Sequence, residues 1–259
     1  MLYIDKYAYC NRLTNTNPFE KFLFVMATMI ICLWANSIII SMLIILLMIG
    51  VAVFKGGIPL SFYLKLMLIP FFFLITGITT IAVNTINDYD KMLWGFKVYS
   101  LTMGVTAKSL EIAARLFIKA LGTVSCLYFL SLTTPMIEII SVLKKLKCPV
   151  LFLELMSLVY RFIFILLETA DKIVTSQSSR LGYYGFKNGF HSMGQLVSTL
   201  FIRSYKRSQD LYTALEARCY NGELNVLEEK YQISKKNIIL IFLIEVFLVI
   251  ITILIGGRF

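Results

Sequence analysis

The chain has 259 residues, of which 58% are hydrophobic and only 15% are charged, and its mean hydropathy is +0.79. Soluble domains are about 45–50% apolar and about 25% charged, so this composition excludes a soluble globular protein and indicates an integral membrane protein. The net charge of +10 lies between hydrophobic runs rather than on a separate polar module. That distribution argues against a nucleic-acid partner and favours the lipid bilayer as the surrounding phase.

Four apolar runs are long enough to be considered as membrane-spanning segments, since a spanning helix needs about 20 apolar residues. In chain order they are Phe22–Phe54, Phe62–Val83, Ile112–Leu132 and Ile238–Ile255. The first run is too long for one crossing and is interrupted by Trp34-Ala35-Asn36-Ser37, which predicts two short helices joined by a polar turn. The predicted fold is therefore an all-α membrane protein with about five transmembrane helices and a domain of amphipathic helices.

The polar segments differ in charge. Thr133–Lys236 contains 14 basic and 9 acidic residues, a difference of +5, and Met1–Lys21 is slightly basic, whereas Asn84–Glu111 is neutral. Basic residues are retained on the cytoplasmic side of a membrane. We therefore expect a multi-pass protein of the plasma membrane, with the first two of these segments in the cytoplasm and the third outside the cell. The C-terminus is then expected outside.

These expectations give a three-part organisation. Residues 1–132 form an N-terminal membrane domain of four transmembrane helices, residues 133–236 form a cytoplasmic domain, and residues 237–259 form a C-terminal transmembrane helix. No cleavable signal sequence is expected, because the first apolar run lacks a small-residue cleavage site.

Pro149–Leu167 is apolar enough to be a further span, but crossing parity argues against it. One more crossing would place the basic residues of Lys172–Lys236 outside the cell. Glu154, Arg161 and Glu168 are seven residues apart and therefore form one polar stripe along a helix. We interpret this segment as a helix at the membrane surface, with a spanning helix as the alternative.

Three stretches of the basic segment predict amphipathic helices. The first, Thr134–Lys147, has a threonine before a proline, an acidic first turn and lysines in its last turn, and is interpreted as a surface helix under the headgroups. The second, Glu168–Gly182, and the third, Arg203–Gly222, each run into a turn in which an arginine follows a small residue.

The arginines of the last two helices are Arg180 and Arg218. An arginine at an uncrowded helix end can enter a groove of a partner protein and bind a carboxylate with two hydrogen bonds. The alternative is that each guanidinium merely caps the C-terminal carbonyls of its own helix.

Several segments together resemble the transmembrane T component of energy-coupling factor transporters, most closely the cobalt and nickel branch, the CbiQ type. The similar segments are Ile4-Asp5-Lys6-Tyr7-Ala8-Tyr9-Cys10-Asn11-Arg12-Leu13 with Lys21, Thr134-Pro135, Tyr160-Arg161-Phe162, Ser204-Tyr205-Lys206-Arg207-Ser208 and Ala214-Leu215-Glu216-Ala217-Arg218 with Tyr220-Asn221-Gly222. The resemblance covers essentially the whole chain in order.

The resemblance implies a coupling subunit of an ATP-driven importer and not an enzyme. In that family two coupling helices end in Ala-Arg-Gly or Ala-Arg-Ser, and each docks on one ATPase subunit. The ATPase-docking residues carried over to this chain are Ser179, Arg180, Leu181, Ala217, Arg218 and Cys219. Leu181 and Cys219 depart from the family pattern, because they are bulkier than the glycine or serine expected there.

The resemblance also implies a substrate-binding membrane subunit as a further partner. It favours cobalt as the transported ion, with nickel or a vitamin as alternatives. The relay of ATPase motion to that subunit would be the function of this chain.

Other chemistry has little support in the sequence. There is no Walker A motif and no metalloprotease or nucleophile-elbow motif, so we expect no bound cofactor and no catalysis, with ATP hydrolysed by the partners. The five cysteines are scattered, and His191, the one histidine, is expected to be an interfacial residue rather than a metal ligand.

Lys119 and Glu245 fall within predicted spans and could pair, although Arg115 and Lys119 could instead extend toward the interface. A stand-alone carrier and a membrane enzyme remain the rival hypotheses.

Overall fold

The computed structural model describes residues 3–35, 37–85, 92–98, 101–220, 231 and 234–256. It is dominated by helices, and the chain divides into two compact units. The membrane unit consists of Leu2–Pro135 together with Lys230–Phe259, and the helical unit consists of Met136–Glu229. The predicted class, an all-α membrane protein, is confirmed.

The membrane unit begins with a short helix, α1 (Tyr3–Cys10), followed by α2 (Pro18–Trp34). The side chain of Asn17 accepts a hydrogen bond from the Phe19 N–H at 3.0 Å and so caps α2, with a proline in the first helical position. Helix α3 (Ile38–Gly50) starts four residues after α2 ends. The predicted break of the first apolar run is therefore confirmed.

Helix α3 continues as a π-helical turn, Val51–Lys55, before α4 (Leu60–Ala82). Pro70 lies inside α4. A membrane helix tolerates a proline when neighbouring polar groups satisfy the backbone carbonyl that it leaves without a partner. Tyr63 of α4 is buried and donates its hydroxyl hydrogen to the carbonyl oxygen of Ser125 at 3.0 Å. Most other large side chains of α4 are exposed, as in a helix that faces lipid on most of its circumference.

A small antiparallel sheet follows α4 and was not predicted. Its strands are β1 (Val83–Thr85), β2 (Met92–Val98) and β3 (Leu101–Thr106), in the order β1-β3-β2. Val83 is paired with Val105, and Val98 with Leu101. The sheet leads directly into α5, the long helix Ala107–Thr133.

The membrane unit is completed by α9 (Lys235–Gly256), far from α2, α3 and α5 in sequence but packed with them. Their shared core is formed by buried apolar side chains: Phe24, Val25, Cys32, Ile40, Ile44, Met48, Cys126, Phe129, Leu132 and Leu248. Helix α5 approaches α2 closely at Gly122, where a Cβ atom would lie only 2.9 Å from the Cys32 sulfur.

The helical unit contains α6 (Met136–Lys145), α7 (Val150–Ser179) and α8 (Phe186–Glu216). Helix α6 matches the predicted amphipathic helix. Helices α7 and α8 have 30 and 31 residues and are much longer than predicted. The surface helix predicted at Pro149–Leu167 and the arginine-ended helix predicted at Glu168–Gly182 form one continuous helix, α7.

Among the described residues, five helices are long and apolar enough to cross a bilayer. They are Ile38–Lys55, Leu60–Ile81, Ser109–Thr133, Val150–Ser179 and Lys235–Leu254. The predicted number is the same but the set differs, because α2 has only 17 residues whereas α7 meets the criterion of length and composition.

Candidate functional site

The turn that ends α7 carries Arg180. The backbone N–H of Gly182 donates to the Gln177 carbonyl at 2.8 Å, and that of Leu181 donates to the Ser178 carbonyl at 3.0 Å. Leu181 has a φ of 58°, in the left-handed region. This pair of bonds with one left-handed residue is a Schellman motif, which closes the last carbonyls of a helix. We call residues 177–182 the Arg180 turn.

The turn that ends α8 has the same geometry around Arg218. Tyr220 N–H donates to the Leu215 carbonyl at 3.1 Å, and Cys219 N–H donates to the Glu216 carbonyl at 3.0 Å. Cys219 has a φ of 55°. We call residues 215–220 the Arg218 turn. The two predicted docking arginines therefore occupy the same position of the same backbone motif.

The guanidinium groups do not close their own helix ends, because backbone N–H groups already bind two of the last carbonyls of each helix, those of Gln177 and Ser178 and those of Leu215 and Glu216. Arg180 and Arg218 are both exposed. Within the described part of the chain, neither side chain has a hydrogen bond or an ion pair. Glu216, two residues before Arg218 in the sequence, accepts a hydrogen bond from the Tyr212 hydroxyl, and this bond raises the pKa of Tyr212. The geometry thus disfavours the capping alternative and leaves both planar guanidinium groups available to a partner.

A third helix end provides an internal comparison. Helix α6 also ends in a Schellman motif, in which Cys148 N–H donates to the Leu143 carbonyl at 3.2 Å and Lys147 has a φ of 61°. The residue in the position of the two arginines is Leu146, which is exposed. The turn alone is therefore a general helix ending, and the arginine distinguishes the other two.

The left-handed conformation makes the departures at Leu181 and Cys219 energetically significant. Glycine adopts a positive φ without steric cost, whereas other residues there carry about 1–3 kcal/mol of strain. Sequence reasoning identified the bulk of these two side chains as the difference from the family pattern. The structure shows that the difference also affects the backbone, because both residues are in a conformation that glycine prefers.

Helices α7 and α8 run in opposite directions, so their arginine turns lie at opposite ends of the pair. Near the Arg180 turn, the Gln177 amide donates to the Ser192 carbonyl at 3.0 Å. Near the Arg218 turn, Tyr220 donates its hydroxyl hydrogen to Glu154 Oε2 at 2.7 Å. Glu154 and Gln177 are thus near opposite ends of α7, and a rise of about 1.5 Å per residue separates them by about 35 Å.

One further hydrogen bond holds the Arg180 turn against α8, and another lies within the end of α7 itself. The Ser192 hydroxyl donates to the Gly182 carbonyl at 2.7 Å, and the Tyr183 hydroxyl donates to Gln177 Oε1 at 2.8 Å. Ser192 is buried although it is polar. Midway along the pair, the Arg207 guanidinium lies 6.0 Å from the Phe162 ring centroid, at the outer limit of a cation–π contact.

The charged residues predicted inside the membrane do not form the suggested pair. Both carboxylate oxygens of Glu245 are buried without a hydrogen-bond partner, so the pairing with Lys119 is absent among the described residues. Arg115 instead contacts Glu111 at 2.8 Å, four residues away on α5.

His191 lies on α8 with its Nε2 atom 3.1 Å from the Gln195 side-chain nitrogen. It is exposed. The described residues contain no group of three or more His, Cys, Asp or Glu side chains that could hold a metal ion.

Two adjacent charged residues, to which sequence reasoning assigned no contacts, organise one end of the membrane unit. Glu20 is buried, and its carboxylate accepts hydrogen bonds from the Ser234 N–H at 2.8 Å and the Asn237 amide at 3.1 Å. The adjacent Lys21 is also buried and donates to the Thr133 carbonyl at 3.1 Å. Asp or Glu stabilises the N-terminus of a helix, and Lys stabilises a C-terminus. Glu20 therefore suits the start of α9, and Lys21 suits the end of α5.

These features define a multi-pass helical membrane protein with two arginine-bearing helix ends. Residues 11–231 match the family described as cobalt transport protein, CbiQ. The chain belongs to this family, the transmembrane T components of energy-coupling factor transporters.

Relatives in several organisms agree with this assignment. The chain is 31% identical over 249 residues to an uncharacterized protein of Methanocaldococcus jannaschii, covering 95% of this chain and 91% of the relative. It is 31% identical over 225 residues to cobalt transport protein CbiQ of Salmonella typhimurium, covering 86% of this chain and 99% of the relative. It is also 31% identical over 188 residues to the energy-coupling factor transporter transmembrane protein EcfT of Ruminiclostridium cellulolyticum, covering 70% and 69%.

Proposed function

We propose that this chain is the coupling subunit of a cobalt importer and that Arg180 and Arg218 each dock on one of two ATPase subunits. The observation that carries the proposal is the pair of exposed arginines on matching Schellman turns at opposite ends of α7 and α8. A separation of about 35 Å along the helix gives each arginine room for its own partner. In this proposal the chain itself is non-catalytic.

Each guanidinium would bind a carboxylate in an ATPase groove through two parallel hydrogen bonds. When the ATPases close on ATP, the two arginine turns would be displaced with them. Helices α7 and α8 are long and joined near both ends by side-chain hydrogen bonds. They can therefore carry that displacement away from the ATPases as a pair.

The membrane topology supports a cytoplasmic location for both arginine turns. Glu20 and Lys21 hold the start of α9 beside the end of α5. In this proposal the segment between these contacts would start and end on the same side of the membrane, so it would cross an even number of times. Since α8 is not apolar enough to span, α7 would stay on that side despite its length. The excess of basic residues then assigns this side to the cytoplasm, and the C-terminus to the outside.

Helix α8 also offers a surface for the substrate-binding membrane subunit. Its exposed apolar side chains recur every three or four residues and form one stripe: Phe186, Phe190, Met193, Val197 and Phe201. A stripe of this kind fits an apolar membrane subunit better than water. We assign recognition of the transported ion, cobalt, or nickel as the alternative, to that subunit.

The proposal is tested by binding of the two ATPase subunits to the full chain in lipid nanodiscs. Loss of a charged, bidentate hydrogen bond costs about 1.5–3 kcal/mol, so Arg180→Ala and Arg218→Ala should each weaken association by about 10- to 100-fold. Arg203→Ala is the matched control, because Arg203 is exposed on α8 but lies away from both turns. It should leave association unchanged.

Cobalt uptake by reconstituted transporter is the second measurement. The double variant Arg180→Ala with Arg218→Ala should abolish ATP-dependent uptake. If it keeps both ATPase association and uptake, the docking proposal is wrong. Uptake by the chain without ATPases would instead favour a stand-alone carrier.

A further inference from the structure

Tyr220 joins two structural elements that meet at the Arg218 turn. Its backbone N–H closes the turn by donating to the Leu215 carbonyl at 3.1 Å. Its hydroxyl donates to Glu154 Oε2, which lies near the start of α7, at 2.7 Å. Glu154 is itself buried, with 8% of its surface exposed. The residue that closes the turn is therefore also attached to the other helix.

The hydroxyl bond constrains Arg218 because little backbone separates the two residues. Arg218 lies inside the ring closed by the Tyr220 N–H, and Cys219 is the only residue between them. A hydrogen bond from a neutral donor to a carboxylate is short and stabilises by about 1.5–3 kcal/mol. Fixing the Tyr220 ring against α7 thus limits where the Arg218 backbone can move.

The unusual residue in this turn increases the need for such a constraint. Cys219 is held at a φ of 55° without being glycine, which costs about 1–3 kcal/mol. That strain favours opening of the turn. The bond between Tyr220 and Glu154 is of similar size and opposes the opening.

The Arg180 turn is held differently, by Gln177, Tyr183 and Ser192. Tyr183 directly follows the turn and donates its hydroxyl hydrogen to Gln177 within it, and not to a carboxylate of the opposite helix. The contact of Tyr220 with Glu154 is therefore specific to the Arg218 end.

We propose that Tyr220 and Glu154 are positioning residues that hold Arg218 in the orientation required for docking. This inference rests on the proposed docking function of Arg218. It also links the two docking ends, since the residue bound by Tyr220 belongs to α7, the helix that carries the Arg180 turn at its other end. Displacement of Arg218 by one ATPase would pass to α7 through this bond.

The test is a double-mutant cycle on ATPase binding to the full chain in nanodiscs. Tyr220→Phe removes only the hydroxyl and should weaken binding by about 3- to 10-fold. In a chain that already carries Arg218→Ala, the same substitution should cause no further loss, because its effect acts through Arg218. If Tyr220→Phe weakens binding by the same factor with and without Arg218→Ala, Tyr220 acts independently of Arg218 and contacts the ATPase itself. That result would overturn the proposal.

Variants of Glu154 provide the rescue. Glu154→Gln keeps a carbonyl oxygen that can accept the Tyr220 hydrogen, so binding should stay within about 3-fold of the unmodified chain, whereas Glu154→Leu should match Tyr220→Phe. If Glu154→Gln is as weak as Glu154→Leu, the hydrogen bond is not the cause. Thermal unfolding of each variant separates loss of docking from loss of folding, and a binding loss that follows the unfolding midpoint would contradict the proposal.

Tyr183→Phe is the matched control at the other arginine turn. It should leave the effect of Arg218→Ala unchanged, and a coupling equal to that of Tyr220 would contradict the specific assignment. The two levels of the hypothesis remain distinguishable. If Arg218→Ala does not weaken binding, the docking function fails, whereas if Arg218→Ala weakens binding and Tyr220→Phe does not, only the positioning inference fails.

Discussion

Leu181 and Cys219 are equivalent residues of two separate helix ends. Each directly follows an exposed arginine, and their φ angles are 58° and 55°. Each also donates its N–H to a carbonyl three residues earlier. Both arginine turns therefore contain a non-glycine residue in the left-handed conformation that glycine favours.

Glycine substitutions at these positions should stabilise the turns. In Leu181→Gly and Cys219→Gly the steric strain of about 1–3 kcal/mol disappears, and the greater freedom of the unfolded chain offsets part of the gain. We expect a net gain of up to about 1 kcal/mol, or roughly 2–4 °C in the unfolding midpoint, with ATPase binding retained. Ala214→Gly, at an exposed helical position of α8, should lose about 1 kcal/mol. Equal destabilisation by all three substitutions would contradict the left-handed turns.

Gly122 should tolerate no larger residue unless Cys32 is shortened. An alanine Cβ would lie 2.9 Å from the Cys32 sulfur, and Cys32 is fully buried. We expect Gly122→Ala to destabilise the protein by about 1–3 kcal/mol through overpacking. Combining it with Cys32→Ala, which removes the sulfur, should cost less than the sum of the two single substitutions. Thermal unfolding in detergent measures this, and strict additivity would show that the helices do not meet here.

Glu20→Gln should be much more damaging than a change at an exposed acidic residue. A glutamine would place an amide opposite donors now bound by the carboxylate, so one buried hydrogen bond would be lost, at about 2–3 kcal/mol. Glu168→Gln is the control, because the Glu168–Lys172 pair at 2.6 Å is exposed, and an exposed pair contributes little to stability. Similar unfolding midpoints for the two variants would contradict the assigned role of Glu20.

Cysteine labelling tests the placement of α7. In a cysteine-free background, Leu151→Cys and Leu167→Cys should react with a membrane-impermeant reagent from the same side as Arg203→Cys. All three positions are exposed. Thr106→Cys, at the end of β3, should react from the opposite side. Labelling of Leu151→Cys and Leu167→Cys from opposite sides would establish α7 as a span and contradict the even number of crossings.

Local patterns were sufficient to predict most helices. The spans predicted at Phe62–Val83 and Ile238–Ile255 match α4 (Leu60–Ala82) and α9 (Lys235–Gly256) closely. The break between α2 and α3 was also predicted, because polar residues interrupt an otherwise apolar run. The sheet was not predicted, because its short strands lie in a segment that was interpreted only by its charge.

The arginine turns were predicted in position but not in conformation. A small residue before Arg180 and Arg218 marked the helix ends, whereas leucine and cysteine give no signal for a positive φ. The bond between Tyr220 and Glu154 spans 66 residues of sequence. The pairs of Glu20 with Ser234 and of Lys21 with Thr133 are also distant in sequence. One sequence without its fold does not show which distant polar groups meet.

The carboxylate of Glu20 has a consequence for how the protein is made. Its donors at Ser234 and Asn237 are 214 and 217 residues away, so almost the whole chain is synthesised before they emerge from the ribosome. Until then the first long helix carries an acidic group without its final partners, and the bundle remains open on that flank. A chain that stops before α9 would lack both donors and would leave this carboxylate without them. The last helix thus completes the assembly that the second helix begins.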